Sequence, residues 1–153
     1  MAKHRSPSPT TTIGWREWVG FPGLESVEVK AKIDTGARSS AIHAFNVDTF
    51  ERSGEAWASF EVHPVQRHRF PTVRVEAPLV DRRAVRSSNG VAEERLVIVT
   101  PVQLGPDRFP IELTLTNRDE MGFRLLLGRS AVRRRYLVDP AKSYLLGRPA
   151  WSR

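Results

Sequence analysis

No cysteine occurs among the 153 residues of the chain. That absence excludes disulfide frameworks, thiolate metal sites and a Cys nucleophile. Histidine is sparse, with four copies at His4, His43, His63 and His68. They are scattered, and without a His-Glu-x-x-His pair no metal is expected. The chain also lacks a Gly-x-x-x-x-Gly-Lys-Ser/Thr loop for nucleotide phosphates and a Gly-x-Ser-x-Gly elbow for a serine nucleophile. No cofactor is expected. No stretch reaches the ~18 apolar residues of a spanning helix, so no membrane partner is expected. The opening segment, Met1-Ala2-Lys3-His4-Arg5-Ser6-Pro7-Ser8-Pro9, has no apolar core. It therefore reads as a short disordered leader over residues 1–11 rather than a secretory signal. A cytoplasmic protein is the simplest expectation.

What is present describes one ordinary domain, expected over residues 12–150. Hydrophobic residues make up 40% and charged residues 27%, a globular rather than a disordered balance. The net charge of +7 favours acidic partners: nucleic acid, anionic lipid or acidic peptides. Charge alone does not choose among them.

Strand patterns dominate. Val27, Val29, Ala31 and Ile33 alternate with Glu28, Lys30 and Lys32, the period of a half-buried strand. This run leads directly into Asp34-Thr35-Gly36, where glycine permits a sharp turn. A second alternating run covers 111–116 and follows the turn Gly105-Pro106-Asp107. Leu96 to Thr100 is β-rich and is expected to break at Pro101. Phe60–Val65 and Pro71–Val75 are weaker strand candidates, and Phe123–Leu127 reads as a central buried strand ending at Gly128. Tyr136-Leu137-Val138 and Tyr144-Leu145-Leu146 flank Asp139-Pro140-Ala141-Lys142, a pattern that predicts a hairpin. Helix is expected only over Arg129–Arg135, whose end would carry the basic cluster Arg133-Arg134-Arg135. The expected fold class is all-β, a closed barrel or a sandwich with one short helix.

Asp-Thr-Gly alone is a weak motif, but its setting is specific. A strand feeds it, the small residues Ala37, Ser39, Ser40 and Ala41 follow, and an apolar strand ends later in Leu126-Leu127-Gly128-Arg129. That order resembles the retropepsins, and more closely the bacterial family long labelled "ATP-dependent zinc protease". The resemblance rests on Ile13–Glu17, Ala31–Ala41, Ile111–Leu115 and Leu126–Arg129, extended by Leu137–Pro140 and Ser143–Leu146. It implies a retropepsin-like closed β-barrel that works as a homodimer.

Such a site needs two carboxylates sharing one proton, because like charges about 3 Å apart cannot both ionise. The chain has one Asp-Thr-Gly, so the resemblance implies that Asp34 of a second copy completes the pair. Thr35 would then link the two turns by hydrogen bonds, and Gly36 would hold backbone close to substrate. A flap is also implied, and Val85–Val91 fits one, with Asn89-Gly90 favouring a tight hairpin turn. Ala37, Arg38, Arg86, Ser87, Ser88, Asn89 and Gly90 are the expected substrate-binding residues.

One departure from the viral pattern stands out. Where viral relatives carry an acid that pairs with the Gly-Arg arginine, this chain has Arg38 facing Arg129. Either Arg129 finds another acid, or Arg38 points into the cleft and favours an acidic substrate. The function implied is an aspartic endopeptidase cutting peptides or proteins, acidic or glutamate-rich ones by charge. Family members are associated with ATP-grasp ligases that add glutamate tails, which suggests a functional link to such a ligase. Two readings compete: a retropepsin-like module that binds peptides without cleaving them, and a basic nucleic-acid-binding barrel, the least expected partner class of the three.

Overall fold

A computed structural model of the chain describes residues 11–66, 68, 70–86, 90–117 and 122–151, with backbone alone at 85 and 86. The expected leader lies outside these residues except for Thr11. Ten strands and one helical turn form in the order β1 (Thr12–Phe21), β2 (Val27–Asp34), β3 (Ser40–His43), β4 (Phe45–Arg52), β5 (Glu55–Val62), β6 (Val73–Arg86), β7 (Ala92–Leu104), β8 (Asp107–Thr116), β9 (Leu125–Gly128), α1 (Arg129–Val132) and β10 (Leu137–Ser143).

Six strands close a barrel. Around the ring, β1 pairs with β2, β2 with β9, β9 with β3, β3 with β8 and β8 with β7, and Gly20 of β1 meets Gln103 of β7 to shut it. The alternation in β2 and β8 explains their place: Val27, Val29, Ala31 and Ile33, then Ile111, Leu113 and Leu115, all point into the core. Phe21, Phe60, Ile13 and Leu125 fill the centre with essentially no exposed surface. Beyond the ring, β6 carries the sheet outward. Its first half, Val73–Pro78, pairs with β5, and Leu79–Arg86 pairs with β7 after a bulge near Asp81. β4 ends this arm, and β10 lies parallel to β1 at the other edge.

Several boundaries differ from the pattern-based expectation. β7 does not break at Pro101 but runs to Leu104. Pro101 sits opposite Pro110, so the two missing donors coincide at one rung and the ladder resumes on either side. The C-terminal hairpin does not form. Asp139-Pro140 lies inside β10, an edge strand with a partner on one side only, where proline costs little. The weak candidates at 60–65 and 71–75 only overlap the end of β5, which runs from Glu55 to Val62, and the start of β6 at Val73. The helix is shorter than Arg129–Arg135: it stops at Val132, and Arg134 adopts a left-handed φ of 66°. No helix among the described residues is long and apolar enough to cross a membrane.

The end of the chain is strapped to the barrel by a buried carboxylate. Glu17 has no exposed surface and accepts three backbone N–H groups, from Gly14 (2.7 Å), Leu145 (2.9 Å) and Leu146 (3.1 Å). Buried charge is tolerated only with such full hydrogen bonding. Trp151 then donates its indole N–H to Glu28 at 2.6 Å, and Arg148 pairs with the same carboxylate at 2.7 Å.

Candidate active site

Asp34 is the last residue of β2 and lies in parallel register with Gly128, the last residue of β9. Beyond it the chain makes a tight turn rather than continuing the strand. The Asp34 carboxylate creates that turn: Oδ1 accepts the N–H groups of Gly36 (3.1 Å) and Ala37 (3.2 Å), while the Asp34 carbonyl accepts Ala37 N–H at 3.2 Å. Aspartate favours such turns because its short side chain reaches its own backbone two and three residues on. One carboxylate oxygen is thereby anchored. Oδ2 has no hydrogen bond, and no cation pairs with Asp34, among the described residues. The side chain is half-buried, and Thr35 and Gly36 beside it are exposed.

The β9–α1 junction clamps this turn. Arg129 N–H donates to the Ala37 carbonyl at 2.7 Å and Ser130 N–H to the Arg38 carbonyl at 3.1 Å. Gly128 N–H donates to the buried Ser40 hydroxyl at 3.0 Å. Gly128 is required by space: a Cβ there would overlap the Ser39 carbonyl oxygen and lie 2.8 Å from the Ala37 carbonyl oxygen. Gly36 is under no such crowding, since the only atom near its would-be Cβ is Asp34 Oδ1 at 3.4 Å.

Arg129 resolves half of the expected conflict with Arg38. It pairs with no carboxylate among the described residues, and instead Nη1 donates to the Gly36 carbonyl at 3.0 Å. The arginine therefore braces the Asp-Thr-Gly turn through backbone. Arg38 is exposed and lines a cavity of about 540 Å³ next to the turn, between β8, β6 and the α1 end. Ser39, Arg83, Glu112 and Arg135 join it there; Arg83 and Glu112 were not candidate site residues in the sequence, and Arg135 was read only as part of a basic cluster.

The β6–β7 hairpin has its last described rung at Arg86 opposite Ala92, and Gly90 adopts a φ of 82°, the left-handed conformation that a tight turn needs. Ser87, Ser88 and Asn89 lie outside the described residues, as does the Arg86 side chain. The histidines play other parts. His63 stacks on Phe45 with centroids 4.3 Å apart, and the buried His43 ring stacks at 6.0 Å from Phe45. Among the described residues no three His, Asp or Glu side chains gather as metal ligands.

A closed all-β barrel whose strand ends in an Asp-Thr-Gly turn, clamped by a Leu-Leu-Gly-Arg segment, is a retropepsin-like domain. Comparison with known proteins narrows this to one family. Residues 12–149 match the model of the RimB-like family, described as retropepsin-like aspartic endopeptidase RimB, and the chain belongs to that family. It is 52% identical over 135 residues to a protein of Shewanella pealeana called "Probable alpha-L-glutamate ligase", and 50% identical to one of that name from Desulfotalea psychrophila. These alignments cover 88% of this chain but only 30% and 29% of the relatives, so the chain spans under a third of their length. A crystal structure of a protein of unknown function from Legionella pneumophila superposes with a TM-score of 0.74. That match has 26% identity and covers 89% of this chain and 98% of the other.

Proposed function

We propose that the protein is an aspartic endopeptidase that hydrolyses peptide bonds as a twofold dimer, with Asp34 of each copy sharing one proton. The observation that carries this reading is the Asp34 carboxylate itself. Its Oδ1 is held by two N–H groups, while its Oδ2 is left open at a half-exposed position with no cation to neutralise it. A carboxylate so presented, with an exposed Thr35 beside it, suits a second copy across a twofold axis.

In the dimer, the ionised Asp34 takes a proton from water as the oxygen attacks the scissile carbonyl carbon. The protonated Asp34 of the other copy donates its proton to the carbonyl oxygen, giving a neutral tetrahedral diol. Collapse breaks the C–N bond: the ionised Asp34 takes one hydroxyl proton of the diol while the protonated Asp34 gives its proton to the leaving nitrogen, so the pair again holds one proton. The macroscopic pKa values belong to the pair rather than to either residue. Arg129 and the α1 N–H groups act as positioning elements, holding the turn so that Oδ2 meets its counterpart.

The substrate we propose is an acidic, glutamate-rich peptide. Support comes from the exposed Arg38 beside the turn, from the charge of +7, and from relatives whose name couples a segment like this one to glutamate ligation. A functional partnership with such a ligase follows from the same observation. A chain without cysteine suits a cytoplasmic place of work.

The test is cleavage of acidic peptides across pH by the wild type and by Asp34→Ala, with cross-linking to count subunits. The expected result is a dimer whose activity falls about 10⁴-fold in the variant. Cleavage that survives Asp34→Ala would sink the proposal. A second reading, binding without cleavage, is favoured by the ligase name of the relatives. It predicts retained peptide binding by a monomer, or by a dimer whose Asp34 residues stand far apart.

A further inference from the structure

We infer that the cavity beside the Asp34 turn is a subsite for a substrate side-chain carboxylate, with Arg38 and Arg135 as its specificity-determining cations. This rests on the peptidase reading only for the claim that the bound peptide is then cut. Among the described residues three arginines line the cavity, but they are not equivalent. Arg83 is already engaged: its Nε donates to Asp81 at 2.8 Å and its Nη2 to Glu112 at 2.9 Å. Two carboxylates on one guanidinium leave no positive charge there for a ligand.

Arg135 differs. Its guanidinium carbon lies 4.2 Å from the centre of the Phe109 ring, and Nη1 donates to the Ala131 carbonyl at 3.1 Å. No carboxylate among the described residues pairs with it. Ring and carbonyl hold the group in place before a ligand arrives, which lowers the ordering cost of binding. Arg38 is likewise without an acid among the described residues, and its backbone is tied to Ser130 of α1. Ser130 and Thr114 also line the cavity. Among the described residues Glu112 is the one carboxylate lining the cavity, and Arg83 occupies it. Arg133 and Arg134 line a neighbouring depression that Ser130 and Arg135 share, but not the cavity itself, so they serve as internal controls.

The experiment uses Asp34→Asn full-length protein and fluorescein-labelled octapeptides that carry glutamate, glutamine or phosphoserine at matched positions. Anisotropy should show the glutamate peptide binding at least tenfold more tightly than the glutamine peptide. Arg135→Gln should weaken glutamate binding about tenfold, the size expected for losing a charged hydrogen-bond partner at a half-buried site. The double variant Arg38→Gln/Arg135→Gln should lower it to the glutamine level, while Arg133→Gln and Arg134→Gln change it less than about threefold. Glu112→Gln removes a negative charge from the cavity lining while Asp81 still pairs with Arg83, and should tighten glutamate binding several-fold, which keeps the test alive if Arg135→Gln folds poorly.

Equal losses from Arg133→Gln and Arg135→Gln would overturn the subsite in favour of diffuse attraction. A preference for phosphoserine over glutamate would overturn the carboxylate assignment. The two proposals fail separately. Arg135-dependent binding with no cleavage by the wild type keeps the subsite and ends the peptidase reading. Asp34-dependent cleavage with equal binding of glutamate and glutamine peptides does the reverse.

Discussion

Replacing Gly128 by alanine should cost about 3 kcal/mol of stability and disturb the Asp34 turn, although residue 128 makes no contact with a substrate in the proposed mechanism. The added Cβ would overlap the Ser39 carbonyl oxygen and lie 2.6 Å from the Ser39 carbonyl carbon and 2.8 Å from the Ala37 carbonyl oxygen. An ordinary carbon–oxygen contact needs about 3.3 Å, so the two segments must part by roughly 0.5–1 Å. All the obstructing atoms are backbone, and no change of rotamer relieves them. Separation stretches the Arg129 N–H to Ala37 bond, now 2.7 Å, and the Gly128 N–H to Ser40 bond, now 3.0 Å. Overpacking of this kind costs about 1–3 kcal/mol, and each weakened hydrogen bond adds about 1 kcal/mol. That is a large part of the ~5–15 kcal/mol that holds a domain together. Gly36→Ala is the comparator, because its Cβ meets only Asp34 Oδ1 at an ordinary 3.4 Å; it should cost less than about 1 kcal/mol. Urea denaturation with both midpoint and slope recorded measures the difference. Peptide cleavage by Gly128→Ala should fall about a hundredfold, as for a misplacement near 1 Å. An alanine variant with wild-type midpoint and slope would refute the reasoning.

Three further outcomes follow from the same geometry. Glu17→Ala strands three N–H groups and should cost about 4 kcal/mol, with faster amide exchange at Leu145 and Leu146; unchanged exchange there would refute the strap. The Tyr136 phenol is raised well above the ordinary tyrosine value by burial and then by the carboxylate of Asp107, to which it donates at 3.0 Å. Because the folded state holds this proton longer than the unfolded chain does, its contribution is complete below about pH 10 and declines as the pH rises beyond it. Tyr136→Phe should therefore be less stable by about 1 kcal/mol at neutral pH, yet lose less than the wild type between pH 10 and 11, which denaturation midpoints would show. Arg129→Ala removes the brace on Gly36 and should lower cleavage more than stability, by about tenfold against under 1 kcal/mol; a stability loss without a rate loss would contradict its positioning role.

The strands that could be read in advance were those whose alternation matched a core on one side, above all Val27–Ile33 leading into Asp34. β3 and β4 were not legible, because Ser40–His43 is too short for a period and Phe45–Arg52 is exposed on most positions. Asp139-Pro140 imitated a turn because sequence does not reveal that β10 is an edge. Gly128 could be recognised as part of a motif, but the reason for it lies in the Ser39 and Ala37 carbonyls more than eighty residues earlier. The same holds for the cavity: Arg83 comes from β6, Glu112 from β8 and Arg135 from the segment after α1, and only the fold reveals which of the arginines is already neutralised. The sequence left open whether Arg129 finds another acid or Arg38 points into the cleft, and no local pattern could have pointed Arg129 to the Gly36 carbonyl. Glu17 was a letter in a matching segment until the C-terminal strap gave it three donors.

The parallel registers of the barrel also set a timetable. Ser40 meets Leu113, Ala31 meets Leu125 and Thr12 meets Leu137, so neighbours in space are made far apart in synthesis. Such distant pairings make for slow folding, on the scale of milliseconds to seconds. The Asp34 turn cannot take its working shape until Gly128 and Arg129 have emerged and docked. A nascent chain therefore carries Asp-Thr-Gly without its clamp until Gly128 and Arg129, far along the sequence, have followed it out and docked.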